Sequence, residues 1–126
     1  MKSPKISIIV PTFNSTSTLA RCLDSALSQN YPEVELIVID GQSSDGTVEI
    51  IKSYEGKLAY WELSLDTGVF EASNKGIKQA RGDWIYCLGF DDYLWSADTL
   101  AQLAPHLERA HPDHTIVQAK VALVDT

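Results

Sequence analysis

Short apolar runs alternate with helical repeats along almost the whole of this 126-residue chain. The runs are rich in β-branched and aromatic residues, which favour strands, and apolar residues at helical spacing follow them. This alternation predicts an α/β fold, a three-layer sandwich with a mostly parallel sheet and right-handed crossovers, built as one domain over residues 1–126. The predicted strands are 6–10, which Pro11 is expected to end, 36–39, 58–63, 84–88 and 115–124. The predicted helices are 19–29, one around 48–51, 69–81 and 96–107.

Composition places the chain among ordinary globular proteins, with 44% apolar and 21% charged residues. The net charge of −7 disfavours a general nucleic-acid-binding surface. The polar residues 1–5 do not resemble a signal peptide, and no apolar run is long enough to span a membrane, so a cytoplasmic protein is expected. Cys22 and Cys87 both lie in apolar patterns, which predicts buried, reduced thiols.

Polar side chains follow each of the first four predicted strands at the point where the strand ends. In parallel sheets these carboxyl ends share one edge, and ligands bind outside that edge. The sequence therefore predicts a polar site assembled from four strand ends. Its members are Thr12 and Asn14, Asp40 and Ser43, Asp66, and Asp91 and Asp92.

The stretch 86–92 is an apolar run that ends in two adjacent carboxylates, Asp91 and Asp92. Its apolar character predicts a buried, central strand. Two neighbouring like charges repel each other, so they need solvent, a helix start or a cation. Two readings stay open at this point, a solvated turn and a metal site. Hard carboxylate oxygens would suit Mg²⁺ or Mn²⁺ rather than zinc.

Asp40 ends a predicted buried strand and is followed by Gly41, which lets the backbone turn sharply. Such a fixed acceptor could bind a ring N–H of a nucleobase, or it could cap the loop 41–45, and both roles stay open. Asp66 precedes Thr67 and Gly68 and has an ordinary turn interpretation as well. No Gly-x-Gly-x-x-Gly, Gly-Lys-Ser/Thr or Gly-x-Ser-x-Gly motif is present, which disfavours dinucleotide, P-loop and hydrolase readings.

Four stretches, in order, resemble motifs of the family 2 glycosyltransferases, which have the GT-A fold: IIVPTFN at 8–14, VIDGQSSDGT at 38–47, DTGVFEASNKG at 66–76 and LGFDD at 88–92. The resemblance implies the nucleotide-sugar-binding N-terminal part of such an enzyme, with Mg²⁺ or Mn²⁺ as cofactor. It implies a nucleotide pocket lined by Pro11, Thr12, Phe13, Asn14, Asp40, Asp66 and Asp91. It also implies a metal and diphosphate site at Asp91 and Asp92.

By this resemblance the full protein would transfer a sugar from a UDP-sugar to an unknown acceptor, with inversion, and could associate peripherally with the inner face of a membrane. Two departures matter. Gly89 stands where many relatives have an acidic residue, and we expect the catalytic base and the acceptor-binding half to lie outside this chain. The alternative is a non-catalytic nucleotide-binding or interaction module. A nucleotidyltransferase is disfavoured because residues 11–14 replace its glycine-rich, basic loop.

Overall fold

The computed structural model of the chain describes residues 4–64 and 69–110, except for the side chains of Val69, Phe70 and Ala110. The predicted strand 115–124 and Asp66 lie outside the described residues. The strands are β1 (Ile6–Thr12), β2 (Val34–Asp40), β3 (Tyr60–Leu63) and β4 (Trp84–Cys87). The helices are α1 (Leu19–Leu27), α2 (Thr47–Ser53), α3 (Val69–Gln79) and α4 (Thr99–Ala110), with a 3₁₀ turn at Glu55–Lys57.

The described strands form one sheet in the order β3-β2-β1-β4, and every pair is parallel. Thr12 pairs with Asp40, and Asp40 pairs in turn with Leu63 on the other side, so β1, β2 and β3 end side by side. This register confirms the predicted α/β architecture and brings the polar strand ends to one edge.

The helices cover both faces of the sheet and make three layers. Residues of α1, α2 and α4 pack with Ile8 and Val10 on one face. Ala72 of α3 packs with Ile9 and Ile37 on the other face. Alternate residues of a strand face opposite sides of the sheet. Because helices cover both sides of β1, all seven of its residues are inaccessible to solvent or nearly so.

The prediction that 86–92 contains a buried, central strand is wrong for the described part of the chain. There β4 is the outermost strand, Ile85 is 40% exposed, and Cys87 is exposed rather than buried. Trp84 and Tyr86 pack against the core that includes α1 and α4. The alternate side chains face the opposite side, where α3 contacts β1 and β2. Cys22 is buried as expected, and both thiols are free.

β1 continues through Pro11 to Thr12, although proline was expected to end the strand. The N–H of Ile6 bonds to the β2 side, and the carbonyl of Ile9 accepts from Leu88 on the β4 side. Pro11, two residues beyond Ile9, therefore also faces the β4 side. Pairing with β4 ends at Ile9, so the N–H that proline lacks has no ladder partner to lose.

A compact polar cluster fastens the opposite, amino edge of the sheet. The Glu35 carboxylate accepts from the Ser7 hydroxyl at 2.5 Å and from the Arg81 N–H at 2.6 Å. Ser7 Oγ also accepts from the Gly82 N–H at 2.8 Å, so the cluster joins β1, β2 and the turn before β4. Burial raises the pKa of Glu35. The hydrogen bonds from Arg81 and Ser7, together with the positive charges of Lys5 and Arg81, outweigh it and leave the pKa below its ordinary value of 4.5.

This cluster should make the free energy of unfolding depend on pH in the acid range. Because the folded pKa of Glu35 is lowered, its stabilising contribution is complete above pH 4.5 and is lost as the pH falls through the folded pKa. Glu35→Gln should therefore lower the free energy of unfolding at pH 7 and flatten its fall below pH 5, as measured by urea unfolding at a series of pH values. Glu49→Gln, at an exposed position of α2, is the control. Curves for Glu35→Gln that run parallel to wild type down to pH 3 would contradict this assignment.

Candidate functional site

The ends of β1 and β2 are joined by a hydrogen-bond network centred on Asp40, which is completely buried. Its Oδ1 accepts from the Thr12 hydroxyl at 2.6 Å and from the Ser43 hydroxyl at 2.7 Å. Its Oδ2 accepts from the Ser43 N–H at 2.8 Å. The capping of the loop after β2 is therefore observed directly. One acceptor position on Oδ2 remains for a further donor, because a carboxylate offers about four.

Ser43 connects this network to the loop after β1. Its hydroxyl accepts from the Asn14 N–H at 2.7 Å, and Asn14 Oδ1 in turn accepts from the Ser44 N–H at 2.9 Å. Asn14 and Gln42 both have a left-handed backbone, with φ of 45° and 63°. Such conformations cost free energy in residues other than glycine, so these contacts have to hold the two loops in place. Phe13, beside Asn14, leaves 55% of its surface exposed at this edge.

The loop after β2 is also fixed to the start of α2. Asp45 Oδ1 accepts from the Thr47 hydroxyl at 2.6 Å and from the Thr47 N–H at 3.1 Å. The Thr47 hydroxyl oxygen accepts from the Ser15 N–H at 2.7 Å. The Thr47 hydroxyl is the main reason that the pKa of Asp45 lies below its ordinary value. Ser15 of one loop and Asp45 of the other therefore both bond to Thr47, at the start of α2.

Gly89–Asp92 forms a tight turn beyond β4, here named the acidic turn. It is closed by a bond from the Asp92 N–H to the Gly89 carbonyl at 3.0 Å. Asp91 and Asp92 are both exposed, and within the described residues their carboxylates make no hydrogen bond or ion pair. A Cβ on Gly89 would lie 2.8 Å from Asp92 Oδ2 and 3.2 Å from Asp91 Oδ1. Both carboxylates therefore face the space that the glycine leaves open.

The two carboxylates make this corner of the molecule negative. Burial, followed by the charges of Asp92 and Asp91, raises the pKa of the Cys22 thiol to about 12. Burial and then Asp92 also raise the pKa of Tyr86. Two hard oxygen donors facing one space suit Mg²⁺ or Mn²⁺, which commonly take one or two protein carboxylates together with phosphate oxygens. Among the described residues, no three His, Cys, Asp or Glu side chains come together to hold a metal ion, so any site here would rest on this pair.

The structure thus gives two groups at one sheet edge. Thr12, Asn14 and Asp40 belong to a single network, whereas Asp91 and Asp92 lie on a separate turn, and no hydrogen bond between described residues joins the two. Sequence reasoning did not anticipate the contacts that hold the acidic turn. These come from α1, whose partners lie 67 or more residues away in the chain.

In the described stretches, no helix is long and apolar enough to cross a bilayer.

Comparison with known proteins matches residues 7–126 to the family model for glycosyl transferase family 2. A PGL/p-HBAD biosynthesis glycosyltransferase of Mycobacterium bovis is 37% identical over 119 residues, which are 92% of this chain and 46% of the relative. TarS of Staphylococcus aureus, a poly(ribitol-phosphate) β-N-acetylglucosaminyltransferase, is 33% identical over 121 residues, 92% of this chain and 21% of the relative. The chain therefore spans less than half the length of these relatives.

Solved structures of glycosyltransferases also resemble this chain. TarS residues 1–349 in complex with UDP-GlcNAc superpose with a TM-score of 0.77 at 32% identity, covering 85% of this chain and 32% of that one. The mannosyltransferase PcManGT of Pyrobaculum calidifontis, in complex with GDP-Man and Mn²⁺, has a TM-score of 0.73 at 28% identity, covering 80% and 31%. The fold is that of the GT-A glycosyltransferases. Because the family model matches nearly the whole length of this chain, the chain belongs to glycosyl transferase family 2.

Proposed function

We propose that this chain is the nucleotide-sugar-binding part of a glycosyltransferase that uses a UDP-sugar and Mg²⁺ or Mn²⁺. The observation that carries the proposal is the shared sheet edge. There a polar hydrogen-bond network lies beside two carboxylates that have no hydrogen bond or ion pair among the described residues, at the edge where parallel α/β sheets bind their ligands. The UDP and UDP-GlcNAc complexes of TarS and its matching fold support UDP as the nucleotide.

The nucleotide is assigned to the network of β1 and β2. Pro11, Thr12, Phe13 and Asn14 would line the pocket, with the exposed Phe13 ring as a surface for the base. Asp40 would accept an N–H of the uracil at its remaining Oδ2 position. Since Asp40 has no exposed surface, the Ser43 loop has to shift slightly for that contact to form. Asp66 is assigned to a position beside the nucleotide by family resemblance alone.

The diphosphate is assigned to the acidic turn, where Asp91 and Asp92 would hold the divalent cation. The cation supplies charge stabilisation for the departing nucleoside diphosphate. The chain's own part is to fix the nucleotide end of the donor, so that the sugar is presented in one orientation. Transfer with inversion, the base that activates the acceptor and the acceptor site are assigned to the rest of a longer protein.

A calorimetric titration tests the nucleotide and the metal together. Wild type should bind UDP at least tenfold more tightly with Mn²⁺ than with a chelator, and should prefer UDP to GDP and ADP. Asp40→Ala should bring the three affinities closer together, because it removes the acceptor assigned to the base. Equal affinity of wild type for all three nucleotides would contradict the role of Asp40. UDP binding that ignores Mn²⁺ would contradict the metal assignment.

The rival reading is a non-catalytic nucleotide-binding module. Both readings share the binding site and differ in chemistry. Slow, Mn²⁺-dependent release of UDP from a UDP-sugar by this chain would favour the transferase. Tight binding without any turnover, in this chain and in its longest natural form, would favour the module.

Gly89→Ala should weaken Mn²⁺-dependent UDP binding without destabilising the fold. The atoms nearest to its Cβ would be the far ends of two exposed side chains, so the carboxylates rotate away and the free energy of unfolding changes by less than about 0.5 kcal/mol. Mn²⁺-dependent UDP affinity should fall about three- to tenfold. Gly56→Ala, whose Cβ would meet nothing within 4 Å, is the control. Unchanged Mn²⁺ affinity in Gly89→Ala would show that the open space at Gly89 has no part in the site.

A further inference from the structure

We infer that one face of α1, formed by Arg21, Cys22 and Ser25 and here named the anchoring face, positions the acidic turn for binding a divalent cation. The inference rests on the proposed function, because it concerns how the assigned metal site is held. These residues would touch neither metal nor nucleotide. They are positioning residues, and their effect would pass through the backbone of the turn.

Cys22 holds the near end of the turn. Its thiol donates to the Gly89 carbonyl across 3.5 Å, from a side chain with no exposed surface. The same carbonyl accepts the Asp92 N–H that closes the turn. Gly89 is thus fastened both to α1 and to the residue that carries one of the carboxylates.

Ser25 and Arg21 hold the far end. The Ser25 hydroxyl oxygen accepts from the Leu94 N–H at 3.0 Å, while its own proton goes to the Cys22 carbonyl at 2.7 Å. The Arg21 guanidinium lies 4.5 Å from the centre of the Tyr93 ring, a cation–π distance. Contacts from one helix therefore bracket Asp91 and Asp92 on both sides.

The chain just after α1 extends this attachment to the start of α4. Gln29 donates to the Ser96 carbonyl at 2.7 Å and accepts from the Leu100 N–H at 2.9 Å. The Asn30 N–H donates to the Ala97 carbonyl at 2.7 Å. The connection between β4 and α4 is therefore attached at several points to α1 and to the residues that follow it.

This attachment matters because the turn carries two like charges with no described counter-ion. Their repulsion favours conformations in which they point apart. A turn that is ordered beforehand binds a cation without first having to lose conformational freedom. The anchoring face therefore sets metal affinity, although it supplies no ligand.

The test uses Ser25→Ala, which removes the acceptor for Leu94 and keeps a good helix former in α1. Arg21→Gln is the second variant, and Ser25→Thr restores a hydroxyl acceptor. Ser28→Ala is the control, because the hydroxyl of exposed Ser28 donates to the Ser25 carbonyl and has no hydrogen bond to the acidic turn. The probes are Mn²⁺ with saturating UDP, followed by electron paramagnetic resonance of free Mn²⁺, and uridine alone, which has no diphosphate. Hydrogen exchange of residues 89–95 reports the anchoring itself.

Ser25→Ala and Arg21→Gln should each weaken Mn²⁺ binding about three- to tenfold and speed exchange across 89–95. Uridine affinity and the melting temperature should stay close to wild type, and Ser25→Thr should recover most of the Mn²⁺ affinity. Variants that bind Mn²⁺ as wild type does would overturn this inference and leave the proposed function standing. A wild-type chain that binds no UDP, with or without Mn²⁺, would overturn both.

Discussion

Replacing both Asp91 and Asp92 with asparagine is expected to remove the metal dependence of UDP binding. Asparagine keeps the size of the side chain and abolishes its charge, so the turn persists without its affinity for a hard cation. With Mn²⁺ present, UDP should bind at least about thirtyfold more weakly than to wild type, roughly 2 kcal/mol. Binding measured with a chelator should change little. Calorimetric titration of UDP in both conditions gives the comparison.

Two controls sharpen this experiment. Glu108→Gln combined with Glu49→Gln removes the same number of charges from exposed positions on α4 and α2, and its Mn²⁺-dependent affinity should match wild type. The melting temperature of the Asp91 and Asp92 double variant should not fall in the absence of metal, because the change removes repulsion between neighbours. A double variant that still gains tenfold or more in UDP affinity from Mn²⁺ would place the cation elsewhere.

Gly82→Ala is expected to be the most destabilising small substitution in the described part of the chain. Its Cβ would lie 2.5 Å from Ser7 Oγ and 2.8 Å from both the Lys5 carbonyl and the Ser7 nitrogen. Two of these atoms are backbone of the central strand β1 or the residue before it, so no side-chain rotation relieves the contact. We expect a loss of about 3 kcal/mol in the free energy of unfolding, and a melting temperature lower by roughly 10 °C.

The loss also includes the cluster around Glu35, since displacing Gly82 breaks its bond to Ser7. Urea unfolding at pH 7 measures the change, and Gly56→Ala serves again as the control, with an expected effect near zero. If Gly82→Ala unfolds within about 1 kcal/mol of wild type, the close approach of the turn to β1 is not needed for the fold.

Local pattern predicted most of the element types. β1 and β2 were recognised from their β-branched runs, and α1 from its apolar spacing, because both signals are contained in a few neighbouring residues. The ends of elements were less certain. Pro11 was expected to end β1, yet the strand continues, because proline is tolerated where the neighbouring strand no longer pairs.

The candidate site was predicted in part. The described polar residues that follow β1, β2 and β4 share one edge, and Thr12, Asn14 and Asp40 meet in one network, whereas Asp66 lies outside the described residues. The apolar run before Asp91 was placed at the centre of the sheet, but β4 is outermost among the described strands. Apolar character does not distinguish the two positions here, since α1 and α4 bury only one face of β4.

The sequence by itself determined the α/β class, the order of strands and helices, and the family, because these follow from periodicity and short motifs. Only the tertiary structure decided how the acidic turn is held. Cys22 and Gly89 lie 67 residues apart in the chain, and no local pattern relates them. Their contact exists because the parallel pairing of β1 with β4 brings the end of β4 against the helix that follows β1.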